Sequence, residues 1–368
     1  AVDISLTHDP GKPGRFRVVA RQRLTEADLS LLLRVVCCFG WQVASHRDRA
    51  TALLALLVVS IGLVACDGSA EPNDGSSASL VVGFSQIGAE SDWRRANTQS
   101  IRDEAAKRGI DLRFSDAQQK KENQIKAIRS FIAQGVDVIA FSPVVETGFE
   151  QVLEEAKRAG IPVVLSDRAV EVSDDSLYVS FIGSDFEEEG RRAAQWLVDN
   201  TEGEVRVAEL QGTPGSAPAL DRAAGFRAVI ENHDRVEIVW SQSGNFTRTE
   251  GKQAFQAFLK SPDADSVTAL YAHNDDMAIG AIQAIKEAGK DPGEDIKIVS
   301  IDAVKQAFQA MIDGDLNCTV ECNPLIGPQL FDIIEKVAAG ESVPKRVKVE
   351  EGVFTASEAA ELIDSRQY

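Results

Sequence analysis

The stretch that decides the fold runs from Leu80 to Ser115, LVVGFSQIGAESDWRRANTQSIRDEAAKRGIDLRFS. It begins with an apolar run at Leu80–Ser85, continues with helical spacing over Asp92–Arg108, and returns to a strand-like run at Ile110–Ser115. Gly109, between the last two segments, is a typical helix stop. This alternation predicts a strand, a helix and a second strand, which is the unit from which parallel sheets are built.

The same alternation continues almost to the C-terminus. Further strands are predicted at 136–141, 162–166, 178–182, 205–210, 236–241, 267–271, 296–301, 317–321, 347–349 and 353–354, and further helices at 122–134, 146–159, 187–199, 218–232, 249–259, 277–288, 306–312 and 327–339. Continuous apolar strands between amphipathic helices indicate parallel sheets covered on both faces. The series is too long for one ordinary sheet. It therefore predicts an α/β fold of two doubly wound parallel-sheet lobes that divide near Ser184, with a cleft between them.

Five short polar stretches each follow an apolar run. They are ESDWR at 90–94, Asp167-Arg168, Asp221-Arg222, Asn274-Asp275-Asp276 and Asp302. Ligands of open α/β sheets bind beyond the carboxyl ends of the strands. Carboxylates accept hydrogen bonds, guanidinium groups donate them in a fork, an amide does both, and an indole covers an apolar ring face. These are the groups that suit a sugar, and the stretches contain no evident nucleophile–base pair, so they predict binding rather than catalysis.

The composition and charge of the chain limit the kinds of partner that we expect it to bind. The 368 residues carry a formal net charge of −18 without a basic patch interleaved with aromatic residues, so we expect no nucleic-acid partner. His273 stands beside Asp275 and Asp276, yet a strand-end turn with capping acids is the preferred interpretation, and we predict no metal and no cofactor. Cys318 and Cys322 lie about 13 Å apart on a predicted strand, too far for a disulfide. We expect two free thiols that fill the core.

The N-terminal part carries an export signal. Basic residues at 46–49 precede an apolar run, Ala50–Val64, which is too short for a membrane span of about 20 residues but typical of a secretory signal. The run ends LVAC at 63–66 and resembles the lipobox of bacterial lipoproteins, which implies a signal peptide at 46–66 and acylation of Cys66. Residues 67–79 predict a flexible polar linker. Residues 1–45 fit no such plan, and we expect them to be a non-native or spurious upstream segment.

From Leu80 onward the chain resembles the ribose/galactose-type periplasmic sugar-binding proteins of bacterial ABC importers, and most closely the galactofuranose-binding receptors. The stretches that carry the resemblance are VGFSQ at 82–86, ESDWR at 90–94, QIKAIRSF at 124–131, ELQG at 209–212, SQSG at 241–244, FTR at 246–248 and YAHNDDM at 271–277. The resemblance implies a type I periplasmic binding protein fold whose chain crosses between lobes near Ser184, Cys322 and Glu351. The N-terminal lobe would comprise 80–184 plus 323–351, and the C-terminal lobe 185–322 plus 352–368.

The resemblance also implies a ligand site. Its first-lobe contacts would be Glu90, Ser91, Asp92, Trp93, Arg94, Asp167 and Arg168, and its second-lobe contacts Arg222, Asn274 and Asp302, with Phe246 packing on the sugar. The implied protein is an extracytoplasmic, lipid-anchored monomer that captures a monosaccharide such as galactofuranose and delivers it to an ABC permease with its ATPase subunit. Two features depart from the galactofuranose receptors: Asp92 replaces a glycine, and Glu204 and Val267 lie where those receptors carry a cysteine pair.

Other functions fit the residues less well. Asp167 and Asp302 resemble a glycosidase pair, but a general acid needs a raised pKa, and Arg168 and Arg222 are expected to keep both carboxylates ionised. A transcription regulator of this superfamily would need a basic helix-turn-helix in front of the lobes. A sugar-sensing input protein for a membrane receptor or kinase is the remaining alternative. The acidic run 187–189 is typical of a helix N-terminus and is a weaker candidate for a permease docking patch.

Overall fold

The computed structural model of the protein describes residues 4–8, 16–20 and 79–368. The first two ranges are strands β1 (Ile4–His8) and β2 (Phe16–Ala20), which form an antiparallel pair. The predicted signal peptide with Cys66, and the predicted linker as far as residue 78, lie outside the described residues. Among the residues that are described, no helix combines the length and the apolar character needed to cross a membrane.

Strands and helices alternate through residues 79–368. The strands are β3 (Val81–Gln86), β4 (Asp111–Asp116), β5 (Val138–Phe141), β6 (Val163–Ser166), β7 (Ser180–Gly183), β8 (Val205–Gln211), β9 (Val236–Ser243), β10 (Ala269–Ala272), β11 (Lys297–Asp302), β12 (Cys318–Glu321), β13 (Arg346–Lys348) and β14 (Val353–Thr355). The helices are α1 (Asp92–Arg108), α2 (Lys121–Gln134), α3 (Glu150–Arg158), α4 (Phe186–Asp199), α5 (Ala217–Ile230), α6 (Arg248–Phe258), α7 (Asp275–Glu287), α8 (Lys305–Ile312), α9 (Gly327–Ala338) and α10 (Ala356–Leu362).

Two six-stranded sheets organise this part of the chain. The first sheet has the order β13-β7-β6-β5-β3-β4, and all of its strands run parallel. The second has the order β14-β12-β11-β10-β8-β9 and is parallel except for β14, which pairs antiparallel with β12. We call the halves built on these sheets the first and the second lobe. The predicted fold of two doubly wound parallel-sheet lobes is confirmed.

The first lobe shows why its strands are apolar throughout. Val138 and Ala140 of β5 belong to one hydrophobic core, whereas Ile139 and Phe141 belong to another on the opposite face of the sheet. Alternate side chains of a strand point to opposite faces, so a strand with helices on both sides must be apolar at every position. All four residues of β5 are accordingly buried.

The chain passes between the lobes three times. It leaves the first sheet after β7, returns through α9 after β12, and leaves again between β13 and β14. Leu330 and Phe331 of α9 pack in the same core as Val82 and Phe84 of β3, which fixes this helix in the first lobe. The residue-level domain boundaries remain a prediction.

Two local predictions have different outcomes. Helix α3 begins at Glu150 rather than at residue 146, because Gly148 has a φ of 89°, in the left-handed region that an α-helix cannot contain. Both Cys318 and Cys322 are free and buried, which confirms the prediction of free thiols. Both belong to the hydrophobic core of the second lobe, and Cys322 also lines the cavity described next.

Candidate functional site

A cavity lies between the lobes, where strands of both sheets end. The space between its lining atoms, counted out to open solvent, is about 290 Å³. The lining residues are Glu90, Ser91, Trp93, Arg94, Asp167, Arg168, Phe186, Pro218, Arg222, Phe246, Asn274, Asp302 and Cys322. Ten of the eleven residues predicted from the sequence as ligand contacts are therefore brought together, and Asp92 is the exception.

The first-lobe wall is organised around Arg94. Ser91 caps the N-terminus of α1 by accepting a hydrogen bond from the backbone N–H of Arg94, and this places the guanidinium at the carboxyl ends of the strands. Its Nε donates to Glu90 Oε1 at 3.1 Å, and its Nη2 donates to Asp167 Oδ2 at 2.6 Å. Burial disfavours the charge of Arg94, but Asp167 and Glu90 outweigh that cost, so its pKa is raised.

Trp93 belongs to the same wall, and the chain segment at the second crossing holds its indole in place. Its indole Nε1 donates to the backbone carbonyl of Cys322 at 2.6 Å, and its ring centroid lies 4.6 Å from the guanidinium carbon of Arg94. Trp93 is 5% exposed, so contacts within the protein hold its ring in place without a ligand. An indole fixed in this way provides the flat apolar surface expected for the face of a sugar ring.

Arg168 is the least compensated cation of the cavity. It donates to the carbonyl of Val144 at 3.2 Å, while its Nε is buried without a hydrogen-bond partner. The carboxylate of Asp167 lies 3.8 Å away and is already bonded to Arg94. Burial, and then the neighbouring charge of Arg94, lower the pKa of Arg168 to about 10. The Arg168 guanidinium also lies 5.3 Å from the ring centroid of Phe246.

The second-lobe wall is organised around Arg222 of α5. Its Nε donates to Glu189 Oε2 at 2.7 Å and its Nη1 donates to the carbonyl of His273 at 2.5 Å. A Cβ atom at Gly190 would lie 2.2 Å from the carbonyl oxygen of Arg222, so this glycine lets α4 approach α5 closely enough for the ion pair to form. Burial opposes the charge of Arg222, but Glu189 outweighs it and the pKa is raised.

Asp302 corrects one expectation. Its Oδ1 lies 3.7 Å from Arg222 Nη2, yet burial raises the pKa of Asp302 well above its usual value, and Arg222 offsets only part of that effect. The expectation that neighbouring arginines hold this carboxyl group ionised is therefore wrong in direction. Where Asp302 keeps its proton, it donates a hydrogen bond instead of only accepting them.

Three cavity residues have unusual backbone conformations. Asp167, Phe246 and Asp302 have φ angles of 66°, 60° and 127°. Non-glycine residues rarely occupy this half of the conformational map, and each such residue costs roughly 1–3 kcal/mol. All three stand at or just beyond the end of a strand, where the turn directs the side chain into the cavity. The strained residues are thus residues that line the cavity.

Asn274 has a structural task as well as a place in the lining. It caps α7, its Oδ1 accepting from the backbone N–H of Met277 at 3.0 Å, while its Nδ2 donates to the carbonyl of Phe246 at 3.2 Å. The adjacent Asp275 is buried and accepts from Thr319 and from the backbone N–H of Val304. The interpretation of this segment as a strand-end turn with capping groups agrees with these contacts.

His273 does not take part in a group of converging metal ligands. Its Nε2 lies 3.2 Å from Glu209 Oε1. In the described part of the chain, the donors that do converge are Glu189, Cys322 and Glu351, whose ligand atoms lie within 4.8 Å of one another. Glu189 already forms its ion pair with Arg222 there, and a neighbouring cation disfavours a metal ion.

The sequence interpretation missed four residues of the site. Phe186, Pro218 and Cys322 line the cavity, and Glu189 anchors Arg222 from behind. Glu189 belongs to the acidic run interpreted as a helix N-terminus, and it is 1% exposed. The available signal was the helical spacing from the buried Phe186, because residues three apart share a helix face.

Asp92 points away from the cavity lining. Its carboxylate pairs with Arg95 of the same helix and with Arg248 of the second lobe, at 3.2 Å in the latter case. Its backbone N–H donates to Asp276 Oδ2 at 2.8 Å. Asp276 in turn pairs with Arg248 at 2.9 Å. Asp92, which the sequence predicted to contact the ligand, therefore contacts residues of the second lobe instead.

This protein has two parallel-sheet lobes, three chain crossings and a buried polar cavity between the lobes. These features are typical of the class of two-lobed solute receptors. The sequence model described as "Periplasmic binding protein domain" matches residues 82–342, and the chain belongs to this family. The predicted type I periplasmic binding protein fold, and the prediction of a receptor rather than an enzyme, are confirmed.

Three individual proteins show the similarity. The galactofuranose-binding protein YtfQ of Escherichia coli K12 is 50% identical over 273 residues, which cover 74% of this chain and 86% of that protein. The periplasmic binding protein of the arabinose ABC transporter from Shewanella sp. ANA-3, solved with arabinofuranose, is 53% identical with a TM-score of 0.76, covering 78% and 95%. A Mycobacterium smegmatis structure with β-D-fucofuranose is 52% identical with a TM-score of 0.77, covering 79% and 96%.

Proposed function

We propose that this receptor captures a free monosaccharide in its furanose form, such as galactofuranose, and delivers it unaltered to an ABC-type permease with its ATPase subunit. The observation that carries the proposal is the cavity itself, in which three arginines and three acids surround a fixed indole and two phenyl rings. The named ligands of the three similar proteins are galactofuranose, arabinofuranose and fucofuranose, which supports a furanose.

Two buried polar atoms of the cavity wall lack a protein partner. One is the donor Arg168 Nε and the other is the acceptor Glu90 Oε2. An unsatisfied buried polar group costs about 1–3 kcal/mol. A ligand rich in hydroxyl groups offers both acceptors and donors for such atoms, whereas an apolar ligand leaves both unpaired. The site therefore favours a polyol or sugar over an apolar molecule of the same size.

Titration of sugars by calorimetry tests the proposal. Galactofuranose, its pyranose isomer and other monosaccharides and disaccharides are titrated into the wild type and into Arg222→Ala and Asp302→Ala. Each variant should bind at least about tenfold more weakly, the equivalent of about 1.4 kcal/mol. Arg222→Lys should also lose affinity, because an ammonium group cannot reproduce the two-point contact with Glu189 and the His273 carbonyl.

Recovery of the sugar after binding tests whether it is altered. Chromatography of the released ligand should return it unchanged in chemical structure. If none of the sugars gives heat, or if both alanine variants bind like the wild type, the assignment of this cavity as a sugar site fails.

The cellular setting follows from the N-terminal prediction and the family. We infer an extracytoplasmic receptor, monomeric and anchored through an acylated Cys66, that meets the permease at the membrane. The support is the apolar run ending LVAC at 63–66 and the periplasmic family. Detergent partitioning of Cys66→Ala is the test, and membrane association equal to that of the wild type would contradict the anchor.

A further inference from the structure

Three charged side chains join the lobes beside the cavity. Asp92 opens α1 in the first lobe, Arg248 opens α6 in the second lobe, and Asp276 lies in the first turn of α7. None of the three lines the cavity. We call Asp92, Arg248 and Asp276 the interlobe latch.

Within the second lobe, the latch is already assembled. Arg248 donates to Asp276 Oδ1 from Nε at 3.2 Å and from Nη2 at 2.9 Å. Asp276 is 3% exposed, and Arg248 is its cationic partner across the pair of packed helices. This pair stays together when the lobes move as rigid bodies, because both residues belong to the second lobe.

Between the lobes, the latch forms two contacts. Arg248 Nη2 also reaches Asp92 Oδ2 at 3.2 Å, and the backbone N–H of Asp92 donates to Asp276 Oδ2 at 2.8 Å. Both contacts require the α1 N-terminus to meet the α6 and α7 N-termini. Any movement that opens the cleft at this point breaks them, so they stabilise the closed arrangement alone.

The charges of the latch make Arg248 its central member. Closing the lobes brings Asp92 and Asp276 towards each other, and two carboxylates at close range repel. Arg248 bonds to both of them and turns this repulsion into a net attraction. Removing Asp92 deletes one attraction, whereas removing Arg248 leaves the two acids facing each other across the cleft with only Arg95, which pairs with Asp92, as a nearby cation.

We infer that the interlobe latch sets how readily this receptor closes and so raises the affinity for every ligand by the same factor, without selecting among ligands. A contact that exists only in the closed state shifts the open–closed equilibrium, and the apparent affinity of any ligand that binds the closed state changes with that equilibrium. Selection is left to the residues that line the cavity. The inference rests on the proposed binding of a ligand between the lobes.

The first experiment compares ligands. Dissociation constants for two sugars of different affinity are measured for the wild type, Asp92→Asn, Arg248→Gln and the double variant. Partly exposed ion pairs contribute about 0.2–1 kcal/mol, so Asp92→Asn should weaken both sugars by the same factor of about 1.5 to 5. Arg248→Gln should weaken both by more, and adding Asp92→Asn to it should recover part of the loss, because it removes the charge that faces Asp276. A change in the ratio of the two dissociation constants would overturn the inference.

A matched control comes from the same two helices. Lys252 of α6 and Glu287 of α7 form an ion pair at 2.6 Å inside the second lobe. Glu287→Gln removes one charge from a pair that does not bridge the lobes, and both sugars should bind it as they bind the wild type. Increasing salt should weaken binding to the wild type more than to Asp92→Asn, because screening removes an attraction that the variant no longer has.

The second experiment needs no sugar. Small-angle scattering of the ligand-free wild type and Arg248→Gln compares the populations of open and closed molecules directly. Arg248→Gln should have the larger mean radius, and Glu287→Gln should match the wild type. Equal radii for all three proteins would overturn the latch. Larger radii for Arg248→Gln with no response to any sugar would leave the latch standing and refute the proposed ligand.

Discussion

Arg94 in the cavity and Arg248 beside it form the same kind of contact in two different surroundings. Each guanidinium bonds to two carboxylates. The side chains of Arg94 and Asp167 are 3% and 5% exposed, whereas those of Arg248 and Asp92 are 33% and 20% exposed, and of the two carboxylates that Arg248 contacts only Asp276, at 5%, is as buried as Asp167. The contact distances overlap, so burial is the variable that separates the two regions.

This difference assigns the two regions different tasks. Removing one member of a buried ion pair leaves a charge that water cannot reach, and this costs much more than the pair itself is worth. Water solvates the remaining member of a half-exposed pair, so little is lost. Buried charges therefore fix the shape and chemistry of the cavity, while half-exposed charges are suited to contacts that form and break repeatedly.

The largest effect is expected from Arg94→Met. The variant leaves Glu90 and Asp167 buried without their main cation, so the free energy of unfolding should fall by about 3–5 kcal/mol. Denaturant unfolding monitored by tryptophan fluorescence measures this change. Arg248→Met is the matched comparison, and its free energy of unfolding should fall by less than that of Arg94→Met, because Arg248 is partly exposed and only one of its two carboxylate partners, Asp276, is buried. Similar losses in the two variants would show that burial does not distinguish the regions.

Arg168 sharpens the comparison within the cavity itself. It is as buried as Arg94, but its nearest carboxylate is bonded to Arg94 and its Nε has no partner. Arg168→Gln should therefore weaken sugar binding by at least about tenfold while leaving the free energy of unfolding close to that of the wild type. Calorimetry and denaturant unfolding on one preparation separate the two effects. A loss of stability as large as that of Arg94→Met would mean that Arg168 is structural.

The sequence predicted the fold and most of the lining for a simple reason. Strands that must be apolar on both faces, and polar residues that follow them, are local features, and in a parallel sheet all strand ends meet at one edge. Ten cavity residues, from Glu90 to Asp302, could be placed by that rule together with the family resemblance. The periodicity of the helices also predicted nine of the ten helices among the residues from 79 onward, in the right order, and missed only α10.

What the sequence could not supply were relations between distant segments. Asp92 lies between two cavity residues, yet it faces Arg248, 156 positions away. Glu189 is part of an acidic run but is buried against Arg222. The pKa of Asp302 depends on how deeply two lobes bury it. These contacts depend on how distant helices pack (α1, α4, α5 and α6) and on how the two lobes meet. A local sequence pattern does not encode either relation.

A third region, where the chain crosses between the lobes, brings two acids together. Glu351 lies there against Glu189, the anchor of Arg222. Ser184 donates a hydrogen bond to Glu351 Oε1, as does the backbone N–H of Asn323 at 3.0 Å. Burial, and then the neighbouring Glu189, raise the pKa of Glu351 to about 9, more than Ser184, Asn323 and Arg222 lower it. At neutral pH the folded protein therefore keeps a proton on Glu351.

The pH dependence of the free energy of unfolding tests this third region. The expected change per pH unit is the smallest of the effects predicted here. Between the unfolded pKa of about 4.3 and the folded pKa of about 9, the folded state holds a proton that the unfolded state has released. Stability from this group is thus present at low pH and lost as pH rises, by at most about 1.4 kcal/mol per pH unit. Glu351→Gln mimics the neutral acid and removes that slope.

Unfolding free energies at pH 6, 7 and 8 for the wild type and Glu351→Gln measure the difference between the two slopes. Contributions of the other groups that face Glu351, namely Glu189, Arg222, Cys322 and Arg346, are common to both proteins to first order and drop out of the difference. The wild type should lose stability relative to the variant as the pH rises. Parallel profiles would mean that Glu351 is ionised in the folded protein, and that Arg222 compensates two buried carboxylates at the crossings as Arg94 does in the first-lobe wall.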